Sequence, residues 1–169
     1  CIPDELNAEV KIYDETAGII PLDLDADLIG MTCITGTSSR CYAYADYFRK
    51  KGITVGMGGV HPTIIPDEAA QHADCILTGF GENTFPQMLW DFKNGELKKR
   101  YDQEKDYTIA GRPVPRRELL DKKKYITTNS VEAIRGCSLP CTCCANPAAF
   151  GRTIHKRPIP EVIREIEML

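Results

Sequence analysis

Hydrophobic positions fall into short runs that alternate with helical-period segments. Val10-Lys11-Ile12-Tyr13-Asp14 alternates apolar and polar residues and predicts a short strand. The stretch 27–34 is nearly continuous in apolar residues, as expected of a strand covered on both faces. After it, Cys41, Tyr44, Ala45 and Phe48 recur at i, i+3, i+4 and i+7, predicting a core-facing helix that stops at Gly52. The unit repeats. Residues 53–57 predict a strand, 67–72 a short helix and 75–78 another strand, followed by a helix with Phe85, Met88, Leu89 and Phe92 on one face. Strands about twenty residues apart with helices between them imply right-handed crossovers, hence an α/β fold with a doubly wound parallel sheet.

Such sheets bind ligands at the carboxyl ends of their strands. Three small-residue loops fall there. The candidate ligand-binding residues are Thr35, Gly36, Thr37 and Ser38 in the first, Gly58, Gly59, Val60 and His61 in the second, and Gly79, Gly81 and Glu82 in the third. Glycines let backbone approach a flat ligand or a phosphate, and helix N-termini offer free N–H donors. No Gly-x-Gly-x-x-Gly follows the first strand and no Gly-Lys-Ser/Thr loop exists, so nucleotide cofactors are not favoured. His61 has two readings, a ligand at this edge or a residue that shapes the backbone before Pro62, and the second is the commoner. Glu82 reads as a favourable partner of a helix dipole rather than a catalytic base. Asp14 and Glu15 are expected to face the same edge.

The pattern breaks after Asn94. Lys99-Arg100-Tyr101 suits an edge strand, and Gly111-Arg112-Pro113-Val114-Pro115-Arg116 suits neither a helix nor a central strand. The expected division is a ligand-binding domain over 1–110, a linker over 111–125 and a second unit over 126–169. In the second unit, 130–135 predicts a strand. Pro158-Ile159-Pro160-Glu161 opens a helix with Val162, Ile163, Ile166 and Leu169 largely on one face.

Charge sharpens this division. Residues 1–92 carry five Lys/Arg against fourteen Asp/Glu, which argues against a nucleic-acid groove. Residues 93–125 carry eleven against six and read as a solvated basic linker. No apolar run suggests a membrane span. Cys1-Ile2-Pro3 resembles neither an initiator nor a signal peptide, and Leu169 falls inside a helical pattern. The expectation is an excerpt cut on both sides, with the first strand of its sheet upstream of Cys1. It is also expected to be cytoplasmic and inactive alone.

Four of the eight cysteines, Cys137, Cys141, Cys143 and Cys144, crowd one loop after the predicted strand. Neighbouring thiols so close rarely meet disulfide geometry, and soft sulfur donors suit an iron–sulfur cluster or a soft metal. A structural zinc knuckle is the competing reading, but it normally needs a second Cys pair at a distance. Cys33, Cys41 and Cys75 lie on apolar faces and read as small core residues.

Cys137-x3-Cys141-x2-Cys144, after Arg135-Gly136 and before Asn146-Pro147 and Phe150-Gly151-Arg152, resembles the cluster motif of radical S-adenosylmethionine (SAM) enzymes. The preceding residues resemble the cobalamin-binding domain found in one subgroup of that family. That likeness rests on Gly58-Gly59-Val60-His61-Pro62-Thr63, Gly79-Phe80-Gly81-Glu82-Asn83-Thr84-Phe85-Pro86 and Pro113-Val114-Pro115-Arg116. The resemblance implies a flavodoxin-like Rossmann-type domain followed by the first βα unit of a partial barrel. It implies that Cys137, Cys141 and Cys144 bind a 4Fe-4S cluster whose open iron holds SAM. Reductive cleavage would yield a 5′-deoxyadenosyl radical, and cobalamin would supply a methyl group to a small-molecule substrate. Ring-forming, rearranging or methylthiolating relatives are the alternatives, as is a flavodoxin-like module with a degenerate cysteine loop. A reductant such as flavodoxin or ferredoxin is the implied partner. Two positions depart from the pattern. Cys143 stands where an aromatic residue is expected beside the adenine, and Asp-x-His-x-x-Gly is missing, so no cobalt-ligating histidine from that motif is expected.

Overall fold

The computed structural model describes residues 1–104, 107–139 and 141–169. Its centre is a four-stranded parallel sheet in the order β1 (Leu28–Thr32), β2 (Thr54–Gly58), β3 (Cys75–Thr78) and β4 (Arg100–Asp102). Leu28 pairs with Thr54, Gly56 with Cys75 and Ile76 with Arg100. Helices α1 (Ser38–Lys50), α2 (Val60–Ile64), α3 (Pro66–Ala69) and α4 (Gly81–Lys93) connect the strands.

Strand alternation divides the core into two layers. Val55, Met57 and Ile76 face one side with Cys33, Tyr42, Ala45 and Phe48, where α1 and α3 pack. Cys75, Leu77 and Tyr101 face the other with Met88, Phe85 and Leu89 of α4. Helices on both faces explain why β3 is buried at all four positions and reads as one apolar run. The α4 side closes tightly because two strand residues lack a Cβ. A Cβ on Gly30 would stand 3.3 Å from the Phe85 ring, and one on Gly56 would stand 3.2 Å from Cys75 Sγ.

Five expectations need correction. The 27–34 run, expected to be covered on both faces, forms the edge strand β1, in which no residue from Leu28 to Thr32 is buried. The stretch 10–14 is not a strand: it runs as irregular chain with Ile12 and Tyr13 exposed. Alternation makes a strand only when another strand completes the ladder, and among the described residues none lies beside this segment. The 58–63 stretch is not all loop, because Val60–Ile64 turns into α2. The predicted 67–72 helix is the shorter Pro66–Ala69, begun by a proline suited to the first turn. The predicted 130–135 strand shrinks to β5 (Ile134–Arg135), which pairs antiparallel with β6 (His155–Lys156) and joins no parallel sheet.

Two short helices complete the second unit, α5 (Asn146–Phe150) and α6 (Ile159–Glu167). The apolar stripe of α6 lies mostly in solvent, with Ile163 and Ile166 at least half exposed. Its buried residue is Glu165, which accepts hydrogen bonds from Arg157 and Arg117 at 2.5 Å each. The intervening 111–125 stretch forms only two three-residue turns, Arg117–Leu119 and Lys122–Lys124.

Candidate functional site

The three loops converge at the carboxyl end of the sheet, and the fold fixes each one differently. The first follows Cys33, whose backbone N–H donates to the Gly58 carbonyl and whose carbonyl accepts from His61 N–H, extending the β1–β2 register past the strand. Gly59 sits against this extension at φ +103, where a Cβ would lie 2.7 Å from Cys33 O. Only glycine fits there. Thr35 and Gly36 are exposed, and a Cβ on Gly36 would meet nothing within 4 Å. Thr37 and Ser38 are half-buried at the start of α1.

The second and third loops are stitched together. Thr63 Oγ1 donates to Gly59 O at 2.7 Å and accepts from Gly79 N–H at 2.9 Å. Gly79, at φ +76, packs on Gln103, whose side-chain oxygen accepts from Phe80 N–H at 2.6 Å. A rigid floor results. Gly81 is exposed above it at the first turn of α4.

His61 does not point into this edge as a free ligand. It is 3% exposed, with Nε2 2.7 Å from the Tyr42 hydroxyl and Nδ1 3.3 Å from Thr35 Oγ1. Tyr42 in turn donates to Glu68 at 3.1 Å. Burial and the Glu68 carboxylate both push the Tyr42 phenol well above its ordinary pKa, so it stays a protonated donor. Tyr42 also stacks on His72, with centroids 4.1 Å apart, and His72 pairs with Asp46. Asp14 and Glu15 face other partners: Asp14 accepts from Thr16 and Tyr125, and Glu15 pairs with Arg40.

Glu82 has a partner that spacing alone could not reveal. Its carboxylate accepts from Tyr107 at 3.0 Å and lies 2.8 Å from Nη1 of Arg135, the last residue of β5. The Arg135 guanidinium lies 4.3 Å from the Phe80 ring centroid and bonds Tyr107 and Glu132 as well. On the far side of the cysteine loop, Phe150 stacks on Phe80 with centroids 4.3 Å apart and planes 12° apart. The only hint in the sequence is Arg135 immediately before Gly136-Cys137.

Both limbs of the cysteine loop are thus seated on the β3–α4 loop. Gly136, at φ +98, packs on the Thr153 carbonyl, where a Cβ would collide. Cys137 is half-buried, whereas Cys141, Cys143 and Cys144 are exposed, and all four are free thiols. Among the described residues no three His, Cys, Asp or Glu side chains converge as a metal site. The donor set itself, accessible thiols on a loop with pinned ends, suits a soft metal or an iron–sulfur cluster. The core cysteines differ: burial pushes the Cys41 and Cys75 thiols up to about 12, the behaviour of inert core residues.

Fold and site together define an α/β module with a ligand-type carboxyl edge and a cysteine loop held beside it. Residues 6–89, running from before β1 into α4, match the family model described as a B12 binding domain. The chain is similar to bacteriochlorophyllide d C-8(2)-methyltransferase of Chlorobaculum tepidum, 37% identical over 140 residues, covering 79% of this chain and 31% of the relative. It is also similar to bacteriochlorophyllide d C-12(1)-methyltransferase of the same organism, 27% identical over 164 residues, covering 94% and 36%. A solved N-terminal domain of a hypothetical Thermotoga maritima protein is 20% identical, with TM-score 0.44, covering 59% of this chain and 82% of that one. The chain spans about a third of the length of the two methyltransferases. Among the described residues no helix is long and apolar enough to cross a membrane.

Proposed function

We propose that residues 1–110 are the cobalamin-binding domain of a radical SAM methyltransferase, 111–125 its linker and 126–169 the first unit of its catalytic part. The carrying observation is the seating of the Cys137-x3-Cys141-x2-Cys144 loop, through Arg135 and Phe150, on the carboxyl edge of a sheet matched by the B12-binding model. The methyltransferase names of the two Chlorobaculum relatives support the reaction type.

In this reading Cys137, Cys141 and Cys144 hold a 4Fe-4S cluster that also binds SAM, and the 35–38 and 81–82 segments receive cobalamin. When bound, the cluster supplies the electron that cleaves SAM, and methylcobalamin supplies a methyl group. The first loop leaves room for a ligand, since a Cβ on Gly36 would meet nothing within 4 Å. The edge fits cobalamin without a histidine on cobalt, because both His61 ring nitrogens already have partners. Gly58, Gly59 and Gly79 then act as the packed floor and Val60 and His61 as the wall. The substrate is a small molecule with an unactivated carbon, the reductant a flavodoxin- or ferredoxin-type protein, and the setting cytoplasmic.

Anaerobic reconstitution of the full-length protein with iron and sulfide tests the reading. The expected result is a brown protein with about three to four irons per chain that also binds hydroxocobalamin. Uptake of zinc but neither iron nor sulfide would sink it.

A further inference from the structure

The β3–α4 loop is held from below without help from the second unit. Gln103 accepts from Phe80 N–H, and Thr63 accepts from Gly79 N–H. Its upper groups, the Phe80 ring and the Glu82 carboxylate, are what the cysteine loop grips. Arg135 places its guanidinium over the ring and 2.8 Å from Glu82 Oε1, while Tyr107 donates to the other carboxylate oxygen. Two residues further on is Cys137. Phe150 closes the return limb by stacking on Phe80. A planar guanidinium with several donors and a stacking face can hold carboxylate and ring at once; a lysine ammonium cannot reproduce both contacts.

We infer that Arg135 is a positioning residue that fastens the cysteine loop to the β3–α4 loop, so that cobalamin binding and cluster assembly favour one another. The inference rests on the functional reading above and adds its regulation. A ligand in the proposed seat would lie against Gly81 and Glu82 and so favour the arrangement in which Arg135 grips Glu82 and Phe80. The same grip holds the backbone two residues before Cys137. Linkage is reciprocal, so the factor by which the cluster tightens cobalamin equals the factor by which cobalamin tightens the cluster.

The test titrates hydroxocobalamin, followed by visible absorption under anaerobic conditions, into the full-length protein with and without its reconstituted cluster. The expected result is binding at least about fivefold tighter with the cluster in place. Arg135→Met should shrink that factor to about one while iron and sulfide still load, and Arg135→Lys should restore only part of it. Glu82→Gln, which keeps the size of the side chain, should do the same and add little in the double variant, because both act on one contact. If Arg135→Met fails to fold, Glu82→Gln alone decides the matter. A merely structural Arg135 would lower stability and leave the factor intact. Equal affinities with and without the cluster in the wild type, or a factor unmoved by both variants, overturns the inference alone. Failure of the wild type to take up any cluster overturns the functional reading and this inference together.

Discussion

The Tyr42 hydroxyl stands 2.7 Å from Nε2 of His61, and the same hydroxyl donates to Glu68. The chain of bonds fixes the direction at Nε2. Because the Tyr42 hydroxyl donates to Glu68, its oxygen accepts from His61, so Nε2 carries a hydrogen and donates to Tyr42. A loop histidine with the outward marks of a metal ligand is a buried connector between α1, α3 and the ligand edge. Tyr42→Phe removes the connector and keeps the ring. It should cost about 1–3 kcal/mol, because the buried His61 N–H loses its hydroxyl acceptor and keeps only Glu68 Oε1, 3.6 Å away. A urea midpoint equal to that of the wild type would contradict the network.

Two glycines of the same edge should behave oppositely. Gly59→Ala forces a side chain into a left-handed backbone position and against Cys33 O, so it should destabilise by at least about 1–3 kcal/mol. Gly36→Ala meets open space and should leave the unfolding midpoint nearly unchanged. It should nevertheless weaken hydroxocobalamin binding, because the new methyl stands where the ligand approaches. Unchanged affinity in Gly36→Ala would move the proposed ligand surface away from the first loop.

Local pattern reaches far into this fold and then stops for physical reasons. The alternation of strands and helices from Asp27 to Phe92 is legible because β2 and β3 lie between partner strands with helices on both faces, whereas β1, at the sheet edge, has no buried residue. The 10–14 stretch carries an equally clear alternation and forms no ladder, since pattern specifies a face and a neighbour must supply the hydrogen bonds. The α6 stripe is periodic as its sequence says, yet it is Glu165 that is buried, because Arg157 and the sequence-distant Arg117 neutralise it. The three edge loops can be named from glycines. The difference between Gly36, which is open, and Gly59, which is packed, lies in φ and in Cys33, neither of which spacing reports. The grip of Arg135 on Glu82 joins two units and leaves no periodic trace.

Glu165 gives the second unit an acid-sensitive anchor. Burial alone would raise its pKa, but the hydrogen bonds and charges of Arg117 and Arg157 outweigh burial and hold it below its ordinary 4.5. A depressed folded value means that the carboxylate contributes stability above its unfolded pKa, and that this is lost as pH falls through the folded value. Urea midpoints should therefore drop as pH falls below the ordinary 4.5, and Glu165→Gln should flatten that limb. Glu165→Ala should cost up to about 3–5 kcal/mol at neutral pH, because it removes the 2.5 Å carboxylate partner of the buried Arg157 and leaves it only Glu161, 4.0 Å from Nε, and the Glu132 carbonyl. A flat acid limb in the wild type would mean that the carboxylate is not held in this way.

Cys143 is the thiol whose role the cluster reading must exclude. It lies between Cys141 and Cys144, is as free as they are and is exposed, so access to metal does not distinguish it. The proposed reading does: by its resemblance to the radical SAM motif, the loop would hold a cluster through Cys137, Cys141 and Cys144 and leave Cys143 where an aromatic residue is expected beside the adenine of SAM. Cys143→Ser should therefore retain the roughly three to four irons expected of one cluster, whereas Cys137→Ser, Cys141→Ser and Cys144→Ser should each lower iron and sulfide together. Cys143→Phe should keep the cluster and tighten SAM, read as a larger change in the reduced cluster's EPR signal at low SAM. If instead Cys143→Ser empties the site and Cys144→Ser does not, the ligand set is Cys137, Cys141 and Cys143, and the motif has slipped by one residue.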